Sequence, residues 1–234
     1  MKPLAALLAL GLAFPGHAAA HPAPVAAAID ARADVEKLVG ILASQDDIFD
    51  LGSRALERGV SQGDLITPDL QKIYGANPGM KEYVTGKVGP EFRAILGRAL
   101  PDLRRDLGAI LTAEMTSDEI AQTLAFFSSP TGVKMKARIY RSIGDRPNQS
   151  QAELQRSIVA AAAANLTPED YPVLLAFSTS SAAQKMQSVT PKISAASRGW
   201  TAQMVAANET RLRKVADAAT AEFLAKNKGP EARR

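Results

Sequence analysis

The side chains that most often carry out catalysis are nearly absent from this chain. It has no cysteine, and its 2 histidines, His17 and His21, stand at the extreme N-terminus. Thiol catalysis, thiolate metal sites and disulfides are therefore excluded, and neither Ser-His-Asp catalysis nor histidine-ligated zinc or haem is expected in the folded body. The sequence also lacks the glycine-rich loops that hold phosphates and dinucleotides. We expect a protein that is not an enzyme and that needs no cofactor.

Carboxylates are the remaining candidates for chemistry. Asp46 and Asp50 are spaced to share one helix face, with Asp47 beside them. They permit a weak divalent-cation site, but no glycine-containing ligand loop accompanies them, and a solvated acidic face explains them as well. A second acidic group, at 114–119, is better explained by helix capping. We assign no metal ligand and no catalytic residue.

A basic stripe is the third feature with possible chemistry. Lys134, Arg138 and Arg141 recur at helical spacing, with Lys136 and Arg146 nearby. Together they predict a face for an anionic partner, such as lipid headgroups or an acidic protein surface. The alternative is a solvated face whose cations lie favourably near a helix C-terminus.

Aromatic residues are few, at 5% of the chain, and four of them, between 126 and 200, are candidates for a ligand site. They could line a ligand pocket, but at helical spacing in so aromatic-poor a chain they are better read as core anchors. The four are Phe126, Phe127, Phe177 and Trp200.

An internal repeat must position these residues. The segment Met115–Met135 aligns without a gap with Leu166–Met186, and both begin with helix-start chemistry. In the first copy Thr116 and Glu119 are spaced to form a capping box. In the second copy Thr167 is the expected cap and Pro168 the expected first helical residue.

Each copy then breaks after a phenylalanine. In the first copy Ser129 is a plausible new N-cap and Pro130 the first residue of the next helix, which predicts helix, sharp corner, helix. Gly132 is expected to allow close approach at that corner. The second copy carries Ser180 and Ser181 there but no proline, so we expect its corner to be less rigidly fixed.

The first corner resembles a known family. The run Phe126-Phe127-Ser128-Ser129-Pro130-Thr131-Gly132 after an acidic helix start is similar to the F-[FY]-x-S-P-x-G signature of exported bacterial proteins with domain of unknown function 2059. The resemblance covers about 100–143, with a degenerate second copy. It implies an all-helical envelope protein and brings no activity or catalytic residue to transfer.

The N-terminus predicts export. Residues 1–20 have a short basic start at Lys2, an apolar stretch from Leu4 to Phe14, and small residues for cleavage near Ala18 or Ala20. The apolar stretch is too short to span a bilayer, although an uncleaved anchor is the alternative. We expect a periplasmic or secreted protein with no transmembrane segment after signal cleavage.

The fold class follows from composition and pattern. Alanine is abundant and β-branched runs are missing, which is typical of close-packed helices. We predict an all-α array of antiparallel helix pairs with two helix–corner–helix repeats and a long C-terminal helix from Pro191 to about Lys226. The expected divisions are a signal peptide (1–20), a flexible lead-in (21–30), an N-terminal helical part (31–110), a repeat part (111–226, with copies near 115–143 and 166–190) and a tail (227–234).

Three functions fit these observations. The first is a non-catalytic interaction module of the cell envelope, with a protein or envelope partner and no nucleic acid. The second is a binder of anionic surfaces through the basic stripe, and its affinity would fall steeply with salt. The third is a carboxylate-using envelope hydrolase, which would need two acidic residues about 5–10 Å apart in one cleft.

Overall fold

The computed structural model describes residues 25–62, 68–145 and 167–227, and these parts of the chain are helical with no strand. The all-α prediction is therefore correct. The helices are α1 (Val25–Leu42), α2 (Gln45–Gln62), α3 (Pro68–Ala76), α4 (Met80–Glu114), α5 (Ser117–Ser128), α6 (Pro130–Asp145), α7 (Asp170–Ser178) and α8 (Ser181–Asn227).

The N-terminal helix divides where a serine can cap its successor. The spacing of apolar residues from 31 to 59 fits one long helix or two with a joint near Ser44, and the structure has two, α1 and α2. The Ser44 side chain accepts a hydrogen bond from the backbone N–H of Asp47 at 3.3 Å, which caps α2. Helix α1 begins at Val25, so the expected lead-in of 21–30 is helical from that residue onward.

Two long antiparallel helices, α4 and α8, form the frame of the molecule. The Trp200 indole N–H of α8 donates to the Ala99 carbonyl of α4 at 2.9 Å, and near the other end Tyr83 packs on Phe223 at 5.6 Å between ring centroids. At 1.5 Å per residue, α4 is about 50 Å long and α8 about 70 Å long. Of the shorter helices, α1 and α2 pack on α4, while α5 and α7 contact α8.

A proline inside a helical pattern, as at Pro101, predicts a kink or a restart, but the prolines of this frame do not end its helices. Pro90 and Pro101 lie inside α4, and Pro191 lies inside α8. The expected C-terminal helix therefore begins at Ser181, ten residues earlier than Pro191, and Gly199 does not interrupt it. An interior proline costs about 3 kcal/mol in an isolated helix. The packing of α4 along α8 offsets that cost, because tertiary burial outweighs local propensity.

Most of the core lies among α1, α2, α5, α6, the start of α8 and the middle and end of α4. Its fully buried side chains include Leu38, Leu42, Ile48, Leu103 and Leu111. A smaller cluster closes the other end of the α4–α8 pair, where Met80, Val84, Val88 and Ala219 are buried.

Candidate functional site

The two corners have the same hydrogen bonds 51 residues apart. The Ser129 hydroxyl donates to the Phe126 carbonyl at 2.7 Å, and the Ser180 hydroxyl donates to the Phe177 carbonyl at 2.6 Å. Each serine oxygen also accepts the backbone N–H three residues later, at 3.1 Å and 3.2 Å. Ser129 as N-cap and Pro130 as first residue of α6 are confirmed. That the two units superpose beyond their corners stays a prediction.

The phenylalanines before the corners meet each other. The rings of Phe126 and Phe177 stack with centroids 4.0 Å apart and planes 6° from parallel, and Phe127 packs edge-on to Phe126 at 5.1 Å. These three side chains and Trp200 are buried, which confirms that they are core anchors. They pack the two units against each other.

A buried carboxylate joins the first unit to the second. Asp170, whose side chain is 4% exposed, accepts hydrogen bonds from the Thr131 hydroxyl at 2.7 Å and from the Lys134 ammonium at 3.1 Å. It also accepts the backbone N–H of Thr167 at 3.0 Å, which is the returning half of a capping box. These bonds, led by the Thr167 backbone N–H, hold the pKa of Asp170 well below its usual range.

The start of the second unit differs from the sequence prediction. The Thr167 hydroxyl donates to the Asp170 carboxylate at 3.0 Å instead of capping a backbone N–H. Helix α7 begins at Asp170, so Pro168 lies in a turn and is not the first helical residue. In the first unit the predicted capping box of Thr116 and Glu119 is present in full.

The basic stripe is largely engaged within the chain. Lys134 pairs with Asp170, and Lys136, whose side chain is only 15% exposed, pairs with Asp47 at 2.7 Å. Arg138 also has an interaction within the chain, whereas Arg141 is exposed. Arg146, the fifth predicted member, lies outside the described residues. The four described cations thus have different environments and do not form one uniform solvent-facing surface.

The acidic side chains are likewise engaged with different partners within the chain. Asp47 binds Lys136 and Ser44, and Asp50 pairs with Arg54 at 3.0 Å. Glu114 lies 3.9 Å from Lys185 of α8 and is bonded to Lys192, and this bond to Lys192 lowers the pKa of Glu114. Within the described ranges, no group of three or more acidic or histidine side chains is arranged to hold a metal ion.

The outer face of α7 is apolar and exposed. Tyr171 is 54% exposed, Val173 38% and Leu175 64%, and the neighbouring Pro172 and Ala176 are exposed as well. Within α7 itself the only charged residue is Asp170, which is buried. Large exposed apolar patches mark interaction sites more often than chance. The run of residues 171–177, apolar on every side of a helix, is the sequence signal that indicates this face.

The corresponding face of the first unit is covered. Ile120, which aligns with Tyr171, is 2% exposed, and Leu124, which aligns with Leu175, packs against the core. Helix α1 packs against α5, and Val35 and Ile120 belong to the same buried core. Helix α1 therefore packs on α5, whereas none of the described helices covers the aligned face of α7.

A groove of about 830 Å³ lies between α1, α4 and the start of α5. Val35 and Val39 of α1, with Met115 and Ile120, form its apolar floor, and arginines stand along its rim. Arg104 is the half-buried one, and its Nε donates to the Ala43 carbonyl, just past the end of α1, at 3.0 Å. No sequence pattern indicated this groove, because its floor and rim come from three separate helices.

The other arginines of the groove are neutralised by acidic neighbours. Arg32 pairs with Glu36 at 3.4 Å, and Arg105 pairs with Asp102 at 2.7 Å. Among the described residues no carboxylate pairs with Arg104. The groove therefore has one half-buried guanidinium group that no acidic side chain of the described chain neutralises.

Comparison with known proteins identifies a family segment. Residues 101–138 match the family described as "Uncharacterized protein conserved in bacteria (DUF2059)". This match confirms the family resemblance over the second half of α4, over α5 and over the first corner, and it does not extend to the second unit. No curated protein and no solved structure matches the chain. None of the helices in the described ranges has the length and apolar character needed to cross a bilayer.

Proposed function

We propose that this protein is a non-catalytic interaction module of the bacterial cell envelope, exported to the periplasm or beyond, whose α7 face receives an amphipathic helix of a partner protein. The observation that carries the proposal is the contrast between the two units. Helix α1 covers the face of α5 that bears Ile120, while the aligned face of α7 exposes Tyr171 and Leu175.

The chemistry of the partner follows from this contrast. The side of α1 turned to the core presents Val35, Leu38, Val39 and Leu42, which recur at helical spacing. An apolar helix face of this kind fits an apolar helix face, because helix-in-groove recognition relies on anchors at i, i+3, i+4 and i+7. A partner helix of similar pattern would bury Tyr171 and Leu175 as α1 buries Ile120.

Site-directed photocrosslinking in intact cells tests the proposal. A photoreactive amino acid at Leu175 should yield one discrete adduct, and mass spectrometry should place the crosslink on an amphipathic helix of another protein. The matched control is Gln122, an exposed position on α5, which should give none. Tyr171→Ser should weaken the adduct from position 175.

Two results would refute this proposal. If position 175 gave no adduct, or the same adducts as position 122, the α7 face would not be a binding surface. If the adduct were a second copy of this chain, the face would be a dimer interface instead.

N-terminal sequencing of the envelope form tests export, and we expect the mature chain to begin near His21. Recovery of an intact Met1 from the cytosol would contradict it.

Binding to an anionic surface through the basic stripe is the alternative, and the exposed Arg141 is the observation that favours it. Because Lys134 and Lys136 pair with aspartates, we expect this binding to be weak. Cosedimentation with anionic vesicles at two salt concentrations tests it, since the affinity of an electrostatic interaction falls as ionic strength rises.

A carboxylate hydrolase has less support, because the acidic groups at 46–50 and 114–119 are largely engaged in ion pairs and caps.

A further inference from the structure

We propose that the groove between α1, α4 and α5 binds a single-chain anionic lipid of the fatty-acid class. Its acyl chain lies on the floor formed by Val35, Val39, Met115 and Ile120, and its carboxylate binds Arg104. This proposal depends on the groove alone and is independent of the α7 face.

The floor and walls favour an acyl chain over a peptide. Both long sides of the groove are helices, α1 and α4, whose backbone groups are already bonded within the helix. A peptide would bring many backbone N–H and C=O groups that find no partners here, and each unpaired buried group costs free energy. An acyl chain has no such groups, and the apolar side chains of the floor suit it. The groove volume of about 830 Å³ also lies within the range of small-molecule sites, roughly 300–1,000 Å³.

Arg104 sets the charge of the ligand. Its Nε is held by the Ala43 carbonyl, so the guanidinium is fixed at the rim while its terminal N–H groups have no acidic partner in the described chain. A guanidinium with free parallel N–H donors suits a carboxylate, which it can bind through two hydrogen bonds. Arg105, on the same rim, is already paired with Asp102 and Asp106.

Calorimetric titration of the purified mature chain with dodecanoate, below its micellar concentration, is the direct test. We expect saturable binding of one dodecanoate per chain. Dodecan-1-ol has the same chain length without the charge, and we expect it to bind at least about tenfold more weakly, because a charge-assisted pair contributes roughly that much or more.

Three variants separate the contributions. Arg104→Gln should lower dodecanoate affinity about tenfold, to near that of dodecan-1-ol, while leaving dodecan-1-ol binding unchanged. Arg105→Gln is the matched control and should leave both affinities within about twofold of the original. Thr112→Trp places a bulky ring at an exposed rim position, so it should abolish binding of both ligands without disturbing the core.

The proposal is overturned if dodecanoate does not saturate, if dodecan-1-ol binds equally well, or if Arg104→Gln and Arg105→Gln have equal effects. Circular dichroism melts show whether Arg104→Gln still folds. If it does not, Thr112→Trp and Arg104→Lys decide, and unchanged dodecanoate binding by Thr112→Trp refutes the site. Tighter, Arg104-dependent binding of an N-acetylated trileucine would mean that the groove recognises a peptide carboxylate, and the lipid assignment would be wrong.

Discussion

Replacing Gly132 by alanine should destabilise the protein strongly for so small a change. A Cβ at this position would lie 2.0 Å from the Phe126 carbonyl oxygen and 2.8 Å from the Phe127 Cα, and real Cβ atoms essentially never approach within 3.0 Å. The contacted atoms are backbone, so they cannot rotate away. The corner would have to open by about 1 Å.

The cost can be worked out from what that opening breaks. The Phe126 carbonyl accepts hydrogen bonds from both the backbone N–H and the hydroxyl of Ser129, which form the corner itself. Overpacking costs about 1–3 kcal/mol, and the upper end applies because the clash is with fixed backbone. For a chain of this size, about 3 kcal/mol lowers Tm by roughly 6–12 °C. Gly132 does not have a left-handed backbone, because Gly79 has the only positive φ in the described ranges. The destabilisation expected from Gly132→Ala is therefore steric.

Thermal melts of Gly132→Ala and Gly86→Ala, followed by circular dichroism, test this reasoning. Gly86 is also helical, but a Cβ there would meet nothing within 4 Å. We therefore expect Gly86→Ala to raise stability by about 0.4–1 kcal/mol through helix propensity and a less flexible unfolded chain. The argument fails if Gly132→Ala melts at or above the wild-type temperature. The result also bears on the second corner, where Ala183 occupies the aligned position with the same hydrogen bonds.

Three further substitutions probe the core and the joint between the units. Asp170→Asn should lower Tm at neutral pH more than Asp102→Asn, an exposed control. Because the pKa of Asp170 is lowered in the folded state, the charged carboxylate stabilises the fold above the unfolded pKa of about 3.9. This stabilisation is lost as the pH falls through the folded pKa. The difference in Tm between the wild type and Asp170→Asn should therefore become smaller in acid melts. Phe177→Ala should cost about 3–5 kcal/mol in denaturant titrations by removing the ring stacked on Phe126, and an unchanged midpoint would mean that the stack contributes nothing. Tyr140→Phe should cost about 1–3 kcal/mol by the same measurement, because the buried carbonyl that Tyr140 binds is left unpaired, and a neutral result would show that water replaces the bond.

Much of the local structure could be predicted from the sequence because its causes are local. The capping box of Thr116 and Glu119, the Ser129 cap and the start of α6 at Pro130 depend on residues within four positions of one another. The family resemblance rests on the same short stretch, which lies inside the matched residues 101–138. The all-α class followed from composition and helical spacing.

Only the tertiary structure decided which helices continue and which charges are available. Pro101 and Pro191 are locally helix-breaking, yet α4 and α8 run through them because each packs along the other. Lys134 belongs to a basic stripe at helical spacing and Lys136 lies near it in sequence, but Asp170 and Asp47 reach them from distant parts of the chain.

The positions of the candidate sites are also decided only by the tertiary structure. The groove exists because α1, α4 and α5 meet, and the α7 face is exposed because α1 lies on α5 instead. Spacing along the sequence specifies which residues share a helix face. Which of these faces are covered depends on contacts between residues far apart in the chain. Those contacts decide where the candidate sites lie.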